Sequence, residues 1–206
     1  MTHDAKQPAA AVDGIVLAAG RSTRMGASKP LLAAAGASFI ERAVTALRDG
    51  GCRDVIAVVG PDGGSAGTRA AGAGARVVIN TAPDSEQIDS LRLALRNLDP
   101  GARGIVVLPV DHPLVTSATV RAVIDAWSVA RAPLARASYA GTPGHPTLFA
   151  EALFEELLRG DLPEGARSVV AAHDTERLDV PVDDAGVGID VDTPEDYERA
   201  FGAKPA

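Results

Sequence analysis

Short, unbroken apolar runs alternate with amphipathic segments along the first half of the chain. The apolar runs cover residues 12–19, 54–60, 75–80 and 104–110. Runs of this kind are typical of strands that are buried on both faces of a parallel sheet. In two segments between them, apolar residues recur at every third or fourth position, which predicts amphipathic helices over residues 38–48 and 87–98.

The order of these elements predicts the fold class. Strand, helix, strand and helix in succession form right-handed βαβ units with helices on both faces of the sheet. We therefore expect a single-domain, Rossmann-like α/β sandwich of three layers with a mostly parallel sheet. This domain would span residues 1–206 and would be frayed at residues 1–10 and 203–206. The Gly/Ala-rich segment 61–74 is expected to be a mobile loop or a weak helix.

The second half of the chain has a less regular pattern. It predicts helices over residues 116–129, 150–158 and 166–173, and strands over residues 134–139 and 187–191. A closing helix is expected from Thr193, because a Thr cap followed by Pro194 and two acidic residues is a typical helix start. Asp190 and Asp192 would then lie at the end of a strand.

Composition and charge limit the classes of ligand. The chain has 206 residues, with 20 Lys and Arg against 27 Asp and Glu, and this excess of acid argues against a general nucleic-acid or membrane-surface binder. Cys52 is the single cysteine and can form no internal disulfide, so we expect it to be a small packed residue. The chain lacks an apolar run of about 20 residues and a secretory signal pattern, so a cytoplasmic protein is expected.

A cationic loop of small residues follows the first predicted strand. The segment LAAGRSTRMGASK, residues 17–29, contains Arg21, Arg24 and Lys29. Ligands of open α/β sheets bind at the carboxyl ends of the strands, where the backbone N–H groups of such a turn can hold phosphates. The glycine spacing matches neither a dinucleotide fingerprint nor a P-loop. The segment indicates a nucleoside triphosphate site, and the alternative is a solvated loop with ordinary surface arginines.

Carboxylates are expected at the same edge of the sheet. Asp111 follows the fourth apolar run, in the segment LPVDHP, where an acid would suit the Mg²⁺ that accompanies a triphosphate. The alternative is an aspartate that caps a helix or a turn. Asp192 or Asp190 comes late in the chain, and two acids that met at one edge would complete a metal site.

Four segments resemble motifs of the nucleotidyltransferases of the molybdenum-cofactor group. LAAGRSTRMGASKPLL, residues 17–32, matches the pattern LAAGxSxRMGxxKxLL at every defining place. VLPVDHPLV at 107–115, GHP at 144–146 and IDVDTPEDYERA at 189–200 resemble the family's further motifs and occur in the same order. Ala19 and His145 favour the cytidylyltransferase branch, whose members carry LAAG and the GHP element.

The resemblance implies a Mg²⁺-dependent transfer of a nucleoside monophosphate, with CMP from CTP favoured. The phosphate of an acceptor, most simply molybdopterin or the molybdenum cofactor, would attack the α-phosphorus and release pyrophosphate, and a molybdenum enzyme could be the client partner. Nucleic acid and membrane are not expected partners. The alternatives are transfer to another small phosphorylated acceptor, a flavin- or nicotinamide-linked oxidoreductase on the same fold, and a non-catalytic nucleotide-binding protein.

The resemblance also implies roles for individual residues. Arg24, Lys29 and Asp111 would be catalytic. Asp111 and Asp192 would hold the metal, with Asp190 as the alternative to Asp192, and His145 would contact the acceptor. The nucleotide-binding set would consist of Leu17, Ala18, Ala19, Gly20, Arg21, Ser22, Arg24, Lys29 and Ser90.

Two segments depart from the family's pattern. Residues 85–92, SEQIDSLR, keep the Ser-Leu-Arg of the third unit but lack the usual glycine before it. Residues 160–167, GDLPEGAR, stand where GDxGAR with a shorter spacing is usual, and this segment is expected to face the acceptor. His112 is expected to be a structural or supporting residue beside Asp111 rather than a metal ligand.

Overall fold

The computed structural model describes residues 11–20, 22, 24–34, 36–82 and 85–205. Its strands are β1 (Val12–Ala18), β2 (Ala33–Ala34), β3 (Ala37–Ser38), β4 (Val55–Val59), β5 (Arg76–Ile79), β6 (Gly104–Pro109), β7 (Leu134–Tyr139), β8 (Thr142–Ala150) and β9 (Leu178–Pro181). Its helices are α1 (Phe39–Asp49), α2 (Gly64–Gly72), α3 (Gln87–Leu95), α4 (Ser117–Ala130), α5 (Phe154–Leu158), α6 (Ala166–Ala172) and α7 (Pro194–Phe201). Short 3-10 turns occur at Lys29–Leu31, Glu151–Leu153 and Ala185–Gly188.

Seven of the strands form one mixed sheet in the order β5-β4-β1-β6-β8-β7-β9. Strand β8 is antiparallel to its neighbours β6 and β7, and the other pairs in this sheet are parallel. Strands β2 and β3 form a separate antiparallel pair just before α1. The predicted fold class, a single-domain α/β sandwich with a mostly parallel sheet, is confirmed.

Helices cover both faces of the sheet, because the strands carry apolar residues on both sides. One cluster of buried side chains joins the sheet to α1, α2, α4 and α7. A second cluster joins the opposite face to α3, α5 and α6. Strand β1 alternates between them, with Val16 in the first cluster and Leu17 in the second. Among the described residues, no helix is both long and apolar enough to span a membrane.

Most of the predicted elements of the first half form close to their expected bounds. The four apolar runs become β1, β4, β5 and β6, and segment 61–74 contains the helix α2 rather than a loop alone. Cys52 is buried, and burial raises the pKa of its thiol to about 12, which agrees with the predicted packed residue. The predicted frayed ends differ in their outcome: residues 1–10 lie outside the described residues, whereas residues 203–205 follow α7 without regular structure.

The predicted strand over residues 187–191 is wrong. The chain forms a 3-10 turn at Ala185–Gly188 instead, and Asp190 and Asp192 do not end a strand. Asp184 fixes this turn, since its carboxylate accepts hydrogen bonds from the Gly186 N–H and from Thr116. Gly186 lies so close to Leu114 that an added Cβ would stand 2.7 Å from the Leu114 carbonyl carbon. Local capping and close packing therefore override the apolar pattern.

Two strands of the second half were not predicted. Strand β8 contains the GHP segment and inserts between β6 and β7, and β9 pairs in parallel with β7 at one edge of the sheet. Both outer strands carry charged side chains in ion pairs: Arg76 of β5 pairs with Asp54, and Asp179 of β9 pairs with Arg136. The antiparallel direction of β8 brings the start of that strand, including His145, to the carboxyl edge of β6.

The closing helix α7 is attached to the rest of the fold by aromatic side chains. It starts as predicted at Thr193, whose hydroxyl accepts from the Asp196 N–H in a capping box. Tyr197 stacks on Phe39 of α1 with ring centroids 6.1 Å apart, and Phe201 lies 5.7 Å from the same ring. Phe39 is completely buried. This contact also fixes the segment that precedes α7.

We predict that Phe39→Ala lowers the free energy of unfolding by about 3–5 kcal/mol, because it leaves a cavity under α7. Chemical denaturation followed by circular dichroism measures this change. Val129→Ala is the matched control, since Val129 is 86% exposed and its truncation should change stability by less than about 0.5 kcal/mol. Equal effects of the two substitutions would contradict the described packing.

Candidate functional site

The loop after β1 places Lys29 at the carboxyl edge of the sheet. Ser22 has a positive φ of 51°, and its hydroxyl accepts a hydrogen bond from the Lys29 backbone N–H at 3.1 Å. Its carbonyl accepts from the Met25 N–H at 3.1 Å, and the Met25 side chain is buried in the core. The small residues of this segment therefore allow a tight turn, and Met25 anchors that turn to the core.

The segment after β6 and the segment before α7 meet at this edge. The Asp111 carbonyl accepts a hydrogen bond from the Val191 N–H at 2.8 Å, which joins the two segments directly. Asp196 then fixes the backbone beside Asp192, because its carboxylate accepts from the N–H groups of Asp192 and Thr193 at 3.1 and 2.8 Å. Asp111 and Asp192, which are far apart in sequence, are thereby held close together.

Four side chains form what we call the charged cluster: Arg24, Lys29, Asp111 and Asp192. The Lys29 ammonium contacts Asp192 and lies 3.8 Å from Oδ2 of Asp111. Arg24 Nη2 lies 2.6 Å from the other carboxylate oxygen of Asp192. The Lys29 side chain is 12% exposed and that of Arg24 is 68% exposed, so Lys29 is the inner cation and Arg24 lies at the rim.

The two carboxylates of the charged cluster differ in their electrostatics. Burial raises the pKa of Asp111, and the positive charge of Lys29 offsets this only in part. Burial also acts to raise the pKa of Asp192, but the hydrogen bond to Lys29 and the charges of Lys29 and Arg24 bring that pKa below its ordinary value. Asp192 is therefore firmly ionised near neutral pH, and Asp111 holds its proton up to a higher pH.

Two histidines stack beside Asp111. The rings of His112 and His145 lie 4.5 Å apart between centroids, at an interplanar angle of 54°. Burial, followed by the charge of His112, lowers the pKa of His145 to about 4, and burial lowers the pKa of His112 as well. Both rings are consequently neutral at physiological pH, and the structural role expected for His112 stays a prediction.

The first cavity, of about 140 Å³, lies over the carboxyl ends of β1 and β6. Lys29 is the single cation among its described lining residues, and Asp111 lines it as well. The other lining residues are small, polar or apolar: Leu17, Ala19, Gly20, Ser22, Pro30, Ser85, Glu86, Gln87, Ser90, Pro109 and Val110. The cavity thus has Lys29 and Asp111 at one end, and its wall near Ser85 and Ser90 includes the acidic Glu86 but no cation among the described residues.

The second cavity, of about 510 Å³, adjoins the first and shares with it Leu17, Glu86, Gln87 and Pro109. His145 and Thr147 of β8 line it, and Arg167 is the single Arg or Lys among its described lining residues. The other lining residues are Ile88, Leu91, Val107, Phe149, Pro163, Glu164, Gly165, Ala166 and Val170. This cavity could hold a larger ligand with an apolar body and an anionic group.

The structure brings most of the predicted site residues together. Leu17, Ala19, Gly20, Ser22, Lys29, Ser90 and Asp111 line the first cavity, and His145 lines the second. Ala18 faces the core instead, with 5% of its surface exposed, and Arg21 lies outside the described residues. Asp192 contacts the cations of the charged cluster, whereas Asp190 is exposed, so the geometry favours Asp192 of the two acids.

The sequence analysis missed Asn80 and Arg167 as individual site residues. Asn80 is buried at the end of β5 and contacts Ser85 and Ser90. Its position at the carboxyl end of a predicted strand is a signal that could have identified it. Arg167 lies in the segment 160–167 that was expected to face the acceptor, and this segment supplies Pro163, Glu164, Gly165, Ala166 and Arg167 to the second cavity.

The charged cluster fits a divalent cation that is bound by its carboxylates and by a substrate phosphate together. Among the described residues, no group of three or more His, Cys, Asp or Glu is arranged to hold a metal ion. Asp111 and Asp192 supply two carboxylates, and Oδ1 of Asp111 is buried without a hydrogen-bond partner in the described chain. Mg²⁺ is commonly held by one or two carboxylates together with substrate phosphates, which suits this donor set.

The fold and the charged cluster define an open α/β protein with its ligand cleft at the carboxyl edge of the sheet. The family described as "MobA-like NTP transferase domain" matches residues 14–178. The chain belongs to this family. The predicted resemblance is therefore confirmed at the level of MobA-like nucleotidyltransferases, and the cytidylyltransferase branch stays a prediction.

Named relatives match part of the chain. A molybdenum cofactor guanylyltransferase of Xanthomonas euvesicatoria is 34% identical over 105 residues, which cover 51% of this chain and 49% of that protein. A 2-C-methyl-D-erythritol 4-phosphate cytidylyltransferase of Saccharopolyspora erythraea is 34% identical over 121 residues, which cover 56% and 54%. The chain thus spans about half the length of the curated relatives that it matches.

Solved structures match over almost the whole chain. The crystal structure of Rv0371c from Mycobacterium tuberculosis H37Rv is 32% identical, with a TM-score of 0.83, and the match covers 95% of this chain and 99% of that one. The structure of the same protein in complex with manganese is 31% identical, with a TM-score of 0.78 and coverages of 93% and 98%.

We predict that the pKa of His145 lies below the ordinary value of 6.5 and that the pKa of His173 lies above it. His145 should stay neutral down to about pH 4, whereas the hydrogen bond to Glu156 raises the pKa of His173. A lowered folded-state pKa means that the unfolded chain binds this proton first, so His145 reduces stability as the pH falls from about 6.5 to 4. His173 adds stability below its ordinary pKa, and this is lost as the pH rises through its folded-state value.

Nuclear magnetic resonance titration of the ring Hε1 signals measures both pKa values in one sample. His173→Gln and His145→Gln assign the signals. A His145 signal that titrates near the ordinary value would contradict the burial of this ring.

Proposed function

We propose that this protein is a divalent-metal-dependent nucleotidyltransferase. It transfers a nucleoside monophosphate, with CMP from CTP favoured, to a phosphorylated acceptor, with molybdopterin favoured, and releases pyrophosphate. An oxygen of the acceptor phosphate forms a bond to the α-phosphorus of the nucleotide. The bond from that phosphorus to the bridging oxygen of the β-phosphate breaks, and pyrophosphate leaves with the electron pair.

The observation that carries this proposal is the junction of two cavities beside the charged cluster. The two cavities share four described lining residues, and the first of them is also lined by Lys29 and Asp111. A reaction between two phosphorylated ligands requires such adjacent binding spaces with cationic and metal-binding groups at their contact. The name of the family, a MobA-like NTP transferase domain, supports the nucleotide as one of the two ligands.

Lys29 and Arg24 have complementary roles in this reaction. Lys29 is mostly buried and would hold the phosphates at the inner end of the first cavity, and Arg24 would contact them from the rim. Phosphoryl-type transfer depends mainly on the positioning of the reactants and on the stabilisation of developing negative charge. The acceptor phosphate is already anionic near neutral pH, so no general base is required. The pKa of about 4 makes the buried His145 ring a weak base, which agrees with this.

Asp111 and Asp192 would hold the divalent cation, which we propose to be Mg²⁺. Bound there, the cation supplies positive charge that stabilises the anionic phosphates. In the free protein these carboxylates contact Lys29 and Arg24, and a cation bound to the carboxylates would compete with those contacts and leave both side chains available to the nucleotide. The manganese complex of the Mycobacterium relative supports a divalent metal in this group of proteins.

Arg167 makes the second cavity suitable for a phosphorylated acceptor. It is the single Lys or Arg among the described lining residues, and the apolar wall formed by Ile88, Leu91 and Phe149 suits an acceptor with a flat or apolar body. Molybdopterin combines a fused ring system with a phosphate, which supports it over a small sugar phosphate. The similar proteins include a molybdenum cofactor guanylyltransferase and a 2-C-methyl-D-erythritol 4-phosphate cytidylyltransferase, so both acceptor types occur among them.

We predict that Asp111→Asn and Lys29→Ala each reduce kcat/KM for pyrophosphate release by at least about a hundredfold, because each removes charge stabilisation at the reacting phosphates. Release of pyrophosphate from CTP, with Mg²⁺ and molybdopterin as acceptor, is the assay. Asp125→Asn is the matched control, since Asp125 is exposed on α4, and it should keep the activity of the unmodified chain.

Parallel reactions with GTP, UTP and ATP and with simple sugar and alcohol phosphates identify the substrates. If no combination that includes molybdopterin releases pyrophosphate, the proposed function is wrong. Activity that survives in both variants at full rate would assign the reaction to another site.

We predict that Arg167→Gln raises KM for the acceptor by about tenfold, because it removes the charge-assisted contact to the acceptor phosphate. KM for the nucleotide should stay the same, because Arg167 does not line the first cavity. Arg131→Gln serves as the control, because Arg131 is exposed beyond α4 and lines neither cavity. Steady-state kinetics with each substrate varied in turn separates the two KM values, and a change confined to the nucleotide would contradict the assignment.

A further inference from the structure

A small polar network supports the wall of the first cavity that contains Ser85 and Ser90. Asn80 follows β5, and its side chain is almost fully buried, with 6% of the residue exposed. Its amide nitrogen Nδ2 lies 3.0 Å from the hydroxyl oxygens of both Ser85 and Ser90. Both serines line the first cavity. The network therefore connects a buried side chain directly to two polar groups at the ligand surface.

The orientation of the Asn80 amide is determined by its other contact. The Asn80 side-chain oxygen accepts a hydrogen bond from the Ala82 N–H at 3.1 Å, so the NH₂ group must face the two serines. The backbone of Asn80 is fixed as well, since its N–H donates to the Val59 carbonyl at 2.8 Å. The side chain therefore has one orientation that satisfies all of these bonds.

This orientation determines which way the serine hydroxyls point. An amide NH₂ group can only donate, so each serine oxygen must accept from Asn80 and cannot direct its own hydrogen toward it. Within the part of the chain that the structure describes, no other side chain or carbonyl accepts either hydrogen. Both hydroxyl hydrogens are thus left to donate to a ligand in the first cavity.

The position of Lys29 indicates which part of a nucleotide meets this wall. Lys29 is the single cation among the described residues that line the first cavity, and phosphates would bind there. The wall with the two serines has no cation among its described residues, and Glu86 beside Ser85 would repel phosphates, so this wall suits the uncharged part of the nucleotide. Because the hydroxyl oxygens of Ser85 and Ser90 both lie 3.0 Å from Nδ2 of Asn80, they are close enough to each other to contact adjacent atoms on the edge of one base.

On this basis, which rests on the proposed function, we propose that Asn80 is a positioning residue that selects the base. It turns Ser85 and Ser90 into a pair of donors, and this pair matches the two adjacent acceptors of cytosine, O2 and N3. Uracil presents an N–H donor at the corresponding ring position, as does guanine on its Watson–Crick edge, and adenine presents one ring acceptor beside an amino group. A mismatched base leaves a donor facing a donor, which a buried site rejects strongly.

The test is the isosteric substitution Asn80→Asp, measured by titration calorimetry with CTP, GTP, UTP and ATP in the presence of Mg²⁺ and without acceptor. A carboxylate can only accept, so in the variant both serine hydroxyls turn away from the cavity and donate to this carboxylate instead. We expect CTP to bind the unmodified chain more tightly than the other nucleotides, and the ratio of the GTP Kd to the CTP Kd to fall by at least about tenfold in the variant. All four ligands carry the same triphosphate, so the ratio is independent of the added negative charge.

Two further sets of variants keep the test decisive if Asn80→Asp lowers stability. Ser90→Ala removes one donor and should reduce the preference for CTP. Ser90→Thr keeps the hydroxyl and should keep the preference of the unmodified chain. Asn97→Asp is the matched control, because Asn97 is exposed at the end of α3 and lines neither cavity. This control should leave the four Kd values unchanged.

The possible outcomes separate this inference from the proposed function. If none of the four nucleotides binds the unmodified chain, the proposed function itself fails. If nucleotides bind but CTP is not preferred, or if Asn80→Asp and Ser90→Ala leave the ratio unchanged, the inference about Asn80 fails and the proposed function stands. If GTP is preferred and 7-deaza-GTP binds weakly, the serines read the N7 and O6 acceptors of guanine, which overturns the assignment to cytosine.

Discussion

A single backbone hydrogen bond, from the Val191 N–H to the Asp111 carbonyl, determines the geometry on which the site depends. It attaches the segment before α7 to the end of β6, and the aromatic contacts of Tyr197 and Phe201 with Phe39 hold α7 against the core. Asp111 and Asp192 therefore meet Lys29 although they come from distant parts of the chain. The loop after β1 thereby presents Lys29 to both carboxylates and Arg24 to Asp192.

The charged cluster is balanced although the chain as a whole is acidic. Two cations and two carboxylates lie within contact distance of one another, which offsets the desolvation of Asp192 and Lys29. Burying one partner without the others would leave an unpaired charge in a partly dry site. The same pairs must rearrange when an anionic ligand and a divalent cation bind, because phosphates compete with Asp192 for Lys29. The ion pairs of the cluster thus stabilise the free protein, and contacts with the ligand can replace them when it binds.

The sequence predicted those parts of the site that follow long apolar runs. Strands β1 and β6 are recognisable because they are buried on both faces. Lys29, in the loop after β1, and Asp111, shortly after β6, were therefore expected at one edge of the sheet, and both line the first cavity there. Strand β8 was not predicted, because its polar GHP start lacks an apolar pattern and its pairing is decided by β6 and β7. The network of Asn80 was missed for a related reason: its hydrogen bonds connect Asn80, which follows β5, with Ser85 and with Ser90 of α3, and no local sequence pattern indicates these contacts.

The charges on the outer strands have a consequence for association between molecules. Strands β5 and β9 each have one edge without a neighbour in the sheet, and such edges can pair with strands of another molecule. Arg76 and Asp179 place ionic groups along these edges, and Pro181 has no backbone N–H to donate. Pairing with a foreign strand would remove water from these exposed ion pairs, which is unfavourable. The ends of the sheet are in this way protected against aggregation, although its centre is strongly apolar.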